Sequence, residues 1–190
     1  MAVTDFVCRV LRDISPGLVY DVGGNTGTYS RIASECGHRC VLYDADMACI
    51  ERVYTEERKR GSSRILPLHL DFSNPTPPLG VNLKERAGVL DRPRADLSMA
   101  LALVHHLRLR ENIPFALIAE FFARLGRRLL IEWVGPDDVM AREMIESKRT
   151  PPSDYDMGSF LDGFSKRFSV LDQAPVAGMD RTMMVLECRE

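Results

Sequence analysis

The chain has 190 residues, 45% of them hydrophobic and 27% charged, a length and composition suited to one globular domain with a substantial core. A net charge of −2 supplies no basic field to draw nucleic acid or an anionic membrane, so neither is an expected partner. There is no apolar run of membrane-spanning length and no signal-peptide profile at the N-terminus. Cys8, Cys36, Cys40, Cys49 and Cys188 are odd in number and never spaced as C-x-x-C. Reduced thiols in a cytoplasmic protein are therefore expected, not a disulfide framework or a zinc knuckle.

About one helix (1–16) precedes "GLVYDVG", Gly17–Gly23, which reads as a buried strand bounded by Pro16-Gly17 and by glycines. The next helix carries Tyr29, Ile32, Ala33 and Cys36 on one face and stops at Gly37. "RCVLYD" is a second strand. It leads to a helix capped by Asp46, striped by Met47, Ile50, Val53 and Tyr54, and ended by Gly61. The "RKR" at Arg58–Arg60 falls in the last turn of that helix, where cations complement the carbonyl end of the dipole. "RILPLHLD" is the third strand. Residues 72–94 then form a long loop without clear period, a kind of segment often tied to function.

"ADLSMALALV" reads as the fourth strand, followed by a helix from an Asn112 cap to Gly126 that buries Ile113, Leu117, Ile118, Phe121 and Leu125. "RLLIEWV" is the fifth, followed by a helix capped near Asp137 with Met140 and Met144 inward. Phe160 and Phe164 mark a short segment before two final strands, "RFSVLDQ" and "RTMMVLECR". Strands alternating with helices indicate a mostly parallel sheet covered on both faces, with an antiparallel hairpin at one edge.

"DVGGNTGTYS", Asp21–Ser30, leaves the first strand where open α/β sheets bind ligands. A dinucleotide fingerprint from Gly23 would need glycine at Asn25 and glycine or alanine at Thr28, and a P-loop would need a closing Gly-Lys-Ser/Thr; all are absent. What stands there is D-x-G-x-x-x-G. An acid ahead of the loop repels a pyrophosphate and attracts an ammonium, so the loop suits the zwitterionic end of an amino-acid moiety. Asp44, ending the second strand, can accept both hydroxyls of a ribose. Asp71-Phe72, ending the third, can take an adenine amino group and pack on the base.

With these elements the chain resembles the class I S-adenosylmethionine-dependent methyltransferases, through "DVGGNTG", "LYDAD", "LDF", "ADLSMALALVHHL" and "LLIEWV". More narrowly, "DVGGNTGTYS", "NPTPPLG", Glu85-Arg86, "LALVHHL" and "IEWVGPDD" resemble a bacterial nodulation-related methyltransferase group. Asn25 stands where many members carry the middle glycine, and only a short segment precedes the loop where relatives often have a long N-terminal region. The resemblance implies a Rossmann-like seven-stranded sheet of order 3-2-1-4-5-7-6 with strand seven antiparallel, and S-adenosyl-L-methionine as cofactor. It also implies that Asp21, Gly23, Gly24, Asn25 and Gly27 line the methionine end, Asp44 the ribose, and Asp71 with Phe72 the adenine.

Methyl transfer from a sulfonium is an in-line displacement that depends on alignment, and a base matters only if the acceptor must lose a proton. His105, His106 and Glu132 are the candidates, with His105, the more variable position in the family, expected to face substrate; packing is the alternative role for either histidine. Glu132 can instead pair with Arg86 or cap a helix. These three are also suitable metal ligands. However, Ala102 stands where RNA 3′-end methyltransferases have their first glutamate, and the fourth strand lacks the final aspartate of catechol-type enzymes, so no metal is expected. Asn74, Glu85 and Arg86 are substrate-contact candidates, while Trp133 is a pocket wall or core residue and Tyr155 either folds over the mouth or packs.

A small metabolite or natural-product acceptor is the expected partner. The competing expectation is a module that binds the cofactor without turnover and serves a partner chain or a missing N-terminal region. An exposed apolar patch at Val3, Phe6 and Val10 would favour that alternative.

Overall fold

The computed structural model describes residues 1–189. Seven strands form one sheet: β1 (Leu18–Val22), β2 (Arg39–Asp44), β3 (Ile65–His69), β4 (Ala95–Ala100), β5 (Gly126–Val134), β6 (Phe168–Pro175) and β7 (Arg181–Cys188). Their order is β3-β2-β1-β4-β5-β7-β6, as expected. β1 to β5 pair in parallel, and β7 runs antiparallel to both β5 and β6.

Among the described residues six α-helices cover the sheet: α1 (Val3–Asp13), α2 (Thr28–Glu35), α3 (Met47–Arg60), α4 (Phe115–Leu125), α5 (Val139–Glu146) and α6 (Met157–Ser165). The strand period of two sorts the core into two layers. Val19, Leu97, Met99 and Leu130 pack with α1, α2 and α3, while Tyr20, Val22, Leu129, Ile131 and Trp133 pack with α4, α5 and α6. Asp21 and Glu132 fall in register with Val19 and Leu130, so both carboxylates belong to the α1–α3 face.

The N-terminal helix docks on this same sheet. Phe6, Val7, Val10 and Leu11 are buried, so the exposed patch that would have favoured an inactive module is not there. The buried His38 fastens the helix end: its Nδ1 accepts from Gly17 N at 3.1 Å, which leaves Nε2 to donate to Leu11 O at 2.9 Å.

Several helix faces differ from expectation. In α3 the buried positions are Ile50, Val53 and Glu57, whereas Met47 and Tyr54 are exposed. Asp46 does cap that helix, accepting from Ala48 N, and Gly61 ends it at φ +62°. Helix α4 starts two residues late because Asn112 turns into the left-handed region at φ +58° instead of capping. The inward set therefore becomes Phe115, Ile118, Ala119, Phe122 and Leu125, and Leu117 faces out. Asp138, not Asp137, caps α5, and this turns Ala141 inward and Met140 outward.

Strand β4 stops at Ala100, four residues early, and a π-helical turn follows at His106–Arg110. The 72–94 segment has its own order, a small hairpin closed by hydrogen bonds between Leu79 and Arg86.

Candidate active site

A cleft of about 630 Å³ opens at the C-terminal ends of β1 to β4, where the strand order reverses. Asp21, Gly23, Gly24, Asn25, Asp44, Asp71 and Phe72 all line it. Three separate strand ends thus contribute acids to one space. The carboxylates on its wall are Asp21, Asp44, Asp71, Glu111 and Glu132, and the guanidiniums are Arg110 and Arg181. An acidic excess of this kind favours a cationic ligand and opposes a pyrophosphate.

Asp21 is fully buried beneath the glycine loop, and its Oδ2 accepts from Ser30 Oγ at 2.6 Å. Burial raises its pKa to about 6; the Ser30 hydrogen bonds oppose the rise and the Asp44 charge adds to it. Gly23 and Gly24 donate to the Tyr43 carbonyl at 2.8 and 3.1 Å, which fixes the loop on β2. A Cβ on Gly24 would stand 2.7 Å from Leu42 Cγ and 2.9 Å from Asp21 Cγ, so only glycine lets the loop close over the acid.

Asn25 takes φ +47°, a left-handed conformation that asparagine tolerates better than most residues. This is the physical reason the middle glycine can be replaced. Gly27 departs from expectation because it does not line the cleft. It precedes α2 at φ +79°, with Leu42 and Val53 where a side chain would go, so its role is packing and backbone path.

Asp44 joins the loop to the tip of β2: Oδ2 accepts from Asn25 N at 2.7 Å and Oδ1 from Asp46 N at 2.8 Å. Each oxygen keeps further acceptor capacity toward the cleft. Asp71 Oδ1 accepts from Ser73 Oγ at 2.7 Å and Ser73 N at 2.8 Å, bonds that hold its carboxyl below the usual range. Phe72 is half-buried, edge-on to Tyr43 and Phe121 with ring centroids 5.7 and 5.3 Å apart.

The opposite wall is a side-chain network. Glu132 Oε2 accepts from Ala102 N at 2.8 Å, with Ala102 held at φ +48°. Glu132 Oε1 accepts from Arg181 Nη1 at 3.2 Å, and Arg181 also grips both oxygens of Asp138, at 2.7 and 3.1 Å. Glu132 and Asp138 are both buried. Glu132 thus pairs with Arg181, not with Arg86, and it anchors the loop after β4 where a helix cap was the alternative.

The two histidine rings lie tilted by 38° with centroids 4.2 Å apart but divide their surroundings. His106 lines the cleft, and burial, followed by the Arg110 charge, lowers its pKa. His105 is 1% exposed and absent from the cleft wall, which reverses the expectation that it faces substrate. Its Nδ1 has no partner among the described residues, and burial, with His106 and Arg181 adding, lowers its pKa to about 3.

The long loop also differs. Asn74, Glu85 and Arg86 do not reach the cleft; Ser73 does. Trp133 and Tyr155 stack at 5.0 Å within the α4–α6 layer, where Tyr155 Oη donates to Val134 O at 2.5 Å, so both are core residues. Among the described residues no group of three or more histidine, cysteine, aspartate or glutamate side chains is arranged to hold a metal, and no helix is long and apolar enough to cross a membrane. Sequence reasoning missed Ser30, Asp138 and Arg181. Only the hydroxyl near the glycine loop left a local signal, since Arg181 meets Glu132 across 49 positions.

The strand order and the crevice at its switch point define the fold of the S-adenosylmethionine-dependent methyltransferases. Magnesium protoporphyrin IX methyltransferase (ChlM) from Synechocystis PCC 6803, solved with S-adenosylmethionine bound, superposes with TM-score 0.67 at 14% identity over 97% of this chain and 77% of its own. N-methyltransferase NodS from Bradyrhizobium japonicum WM9, in complex with S-adenosylhomocysteine, gives TM-score 0.67 at 11% identity over 98% and 85%.

In sequence the chain is similar to nodulation protein NoeA of Rhizobium meliloti (strain 1021), 30% identical over 186 residues, 97% of this chain. It spans 39% of that protein's length. No family model matches the chain.

Proposed function

We propose that residues 1–190 form one domain that binds S-adenosyl-L-methionine and methylates a small-molecule acceptor. The observation that carries this reading is the convergence of Asp21, Asp44 and Asp71, from three successive parallel strands, on one acidic cleft floored by a glycine loop. The donor set fits the cofactor. The loop leaves the backbone open to a zwitterion, Asp44 can receive a pair of hydroxyls, and the acids complement a sulfonium and an ammonium. The structural likeness to ChlM and NodS, both methyltransferases, supports the same reading.

When bound, the cofactor supplies a methyl group activated by positive sulfur. This chain's residues bind, orient and exclude water. Asp21, buried with Ser30, would face the ammonium, and Asp44 the ribose. Glu132, held by Arg181 and Ala102 N–H, fixes the loop after β4 as the wall on the acceptor side. His106 is the group placed to take a proton from an acceptor hydroxyl or carbon acid, because its lowered pKa keeps it neutral at pH 7. His105, buried behind it, acts through packing.

The test is calorimetry with S-adenosylhomocysteine and, in parallel, NAD. The expected result is one site of micromolar affinity for the first and none for the second. Asp44→Ala should weaken binding roughly 30-fold by removing acceptors for two hydroxyls. No binding of S-adenosylhomocysteine at millimolar concentration would defeat the proposal.

A further inference from the structure

A second cavity, of about 200 Å³, lies between β3 and the 72–94 loop. Leu70 is its one residue shared with the main cleft. Leu68, Leu79 and Val89 give it apolar walls, while Tyr43, Arg86 and Arg92 give it polar ones.

Tyr43 is 2% exposed. Its hydroxyl lies beside Tyr20 and Arg92, yet among the described residues no group meets it with hydrogen-bond geometry. Tyr20 Oη, which donates to Pro93 O at 2.6 Å, and the Arg92 guanidinium are its nearest polar neighbours, but neither is aligned to bond it. A buried hydroxyl without a partner carries a desolvation cost that a bound acceptor would remove. Burial pushes the Tyr43 pKa up to about 12, so the phenol remains a neutral donor.

The two arginines point to the same chemistry. Among the described residues neither Arg86 nor Arg92, both exposed, is paired with a carboxylate, while ten other arginines are. Two unneutralised guanidiniums and one hydroxyl donor therefore border a small, mostly apolar space that His69 and Thr76 also line. The loop ordering described above gives that space a fixed wall: Leu79 N donates to Arg86 O at 3.0 Å, and Val89 N to Thr76 O at 3.3 Å.

The geometry points to a second binding site, separate from the main cleft, for a small molecule with one anionic head, carboxylate or phosphate, on an apolar body. The head meets Tyr43 Oη and the guanidiniums, and the body lies on Leu68, Leu79 and Val89. The site does not depend on the methyltransferase reading.

The test follows backbone amide resonances of the full chain during titration with benzoate, phenyl phosphate and neutral benzamide. Expected are saturable shifts at Leu68, Leu79 and Val89 with at least one of the two anions, and none with benzamide at equal concentration. Which anion binds more tightly identifies the head. Tyr43→Phe and Arg92→Gln should each weaken that binding, roughly tenfold and fivefold. Arg58→Gln, an exposed arginine at the end of α3, should leave it unchanged. Shifts that fail to saturate, an equal response to benzamide, or unchanged affinity in both Tyr43→Phe and Arg92→Gln would overturn the assignment.

Discussion

The two walls of the cleft are made by different means. On the β1–β2 side, short-range backbone geometry does the work: the glycine loop hangs on one carbonyl of β2, and Asp44 caps amides 19 and two residues away. On the β4–β5 side, a chain of ionised side chains links Ala102, Glu132, Arg181 and Asp138 across up to 49 positions. The first wall tolerates a change of residue that keeps its dihedral angles, as Asn25 does. The second is expected to fail as a unit when one charge is removed, because Arg181 serves both Glu132 and Asp138.

That contrast gives the largest expected effect. Arg181→Met keeps the volume but leaves Glu132 and Asp138 buried without their cation, which should destabilise the fold by about 3 kcal/mol or more. Urea unfolding measures it. A loss below about 1 kcal/mol would mean that the second wall is not a coupled network.

Protonation separates the walls next. Asp21 has its folded pKa raised from 3.8 to about 6, so between those values the folded chain holds a proton that the unfolded chain has lost. Its contribution to stability therefore falls as pH rises through that window. His105 is shifted from 6.5 down to about 3, so the unfolded chain takes up the extra proton and its contribution falls as pH drops below 6.5. Asp21 in the cleft and His105 beneath it thus pull the pH profile in opposite directions. Asp21→Asn should raise stability at pH 7 by an amount on the order of 2 kcal/mol, and the gain should vanish near pH 4. On the proposed function, S-adenosylhomocysteine affinity of the unaltered chain should fall as pH drops through about 6, because the ammonium meets a neutral acid. A pH-independent affinity would remove Asp21 from the ligand.

The same contrast explains what could be read from the sequence. Strand order and the acids at strand ends were legible because parallel strands announce themselves as short apolar runs, and a carboxylate ending each run needs no knowledge of distant partners. The glycine loop was legible for the same local reason, although Gly27 proved to be a packing position. Helix faces were less so. The left-handed turn at Asn112 delayed α4 by two residues, and the inward set includes Ala119 and Phe122 where Leu117 and Phe121 were expected. Arg181 was not legible at all, since an arginine opening the last strand looks like an ordinary solvated charge until β7 is laid beside β5.

For the adjacent histidines the family pattern pointed to His105 as the one facing substrate, and the structure reverses that assignment. The early end of β4 and the wide turn at His106–Arg110 decide it, bringing His106 to the cleft and folding His105 beneath it. The smallest predicted effect follows. His105→Leu removes a buried ring nitrogen that has no partner and replaces it with an apolar side chain, so stability at pH 7 should change by less than about 1 kcal/mol. The acid limb of the stability profile should become shallower in the same variant, because the proton uptake described above is gone. His106→Gln should leave stability and S-adenosylhomocysteine affinity nearly unchanged while lowering the turnover of any acceptor that must be deprotonated. If His105→Leu abolished turnover and His106→Gln did not, the buried ring would have to reach the acceptor, and the division between the two histidines would be wrong.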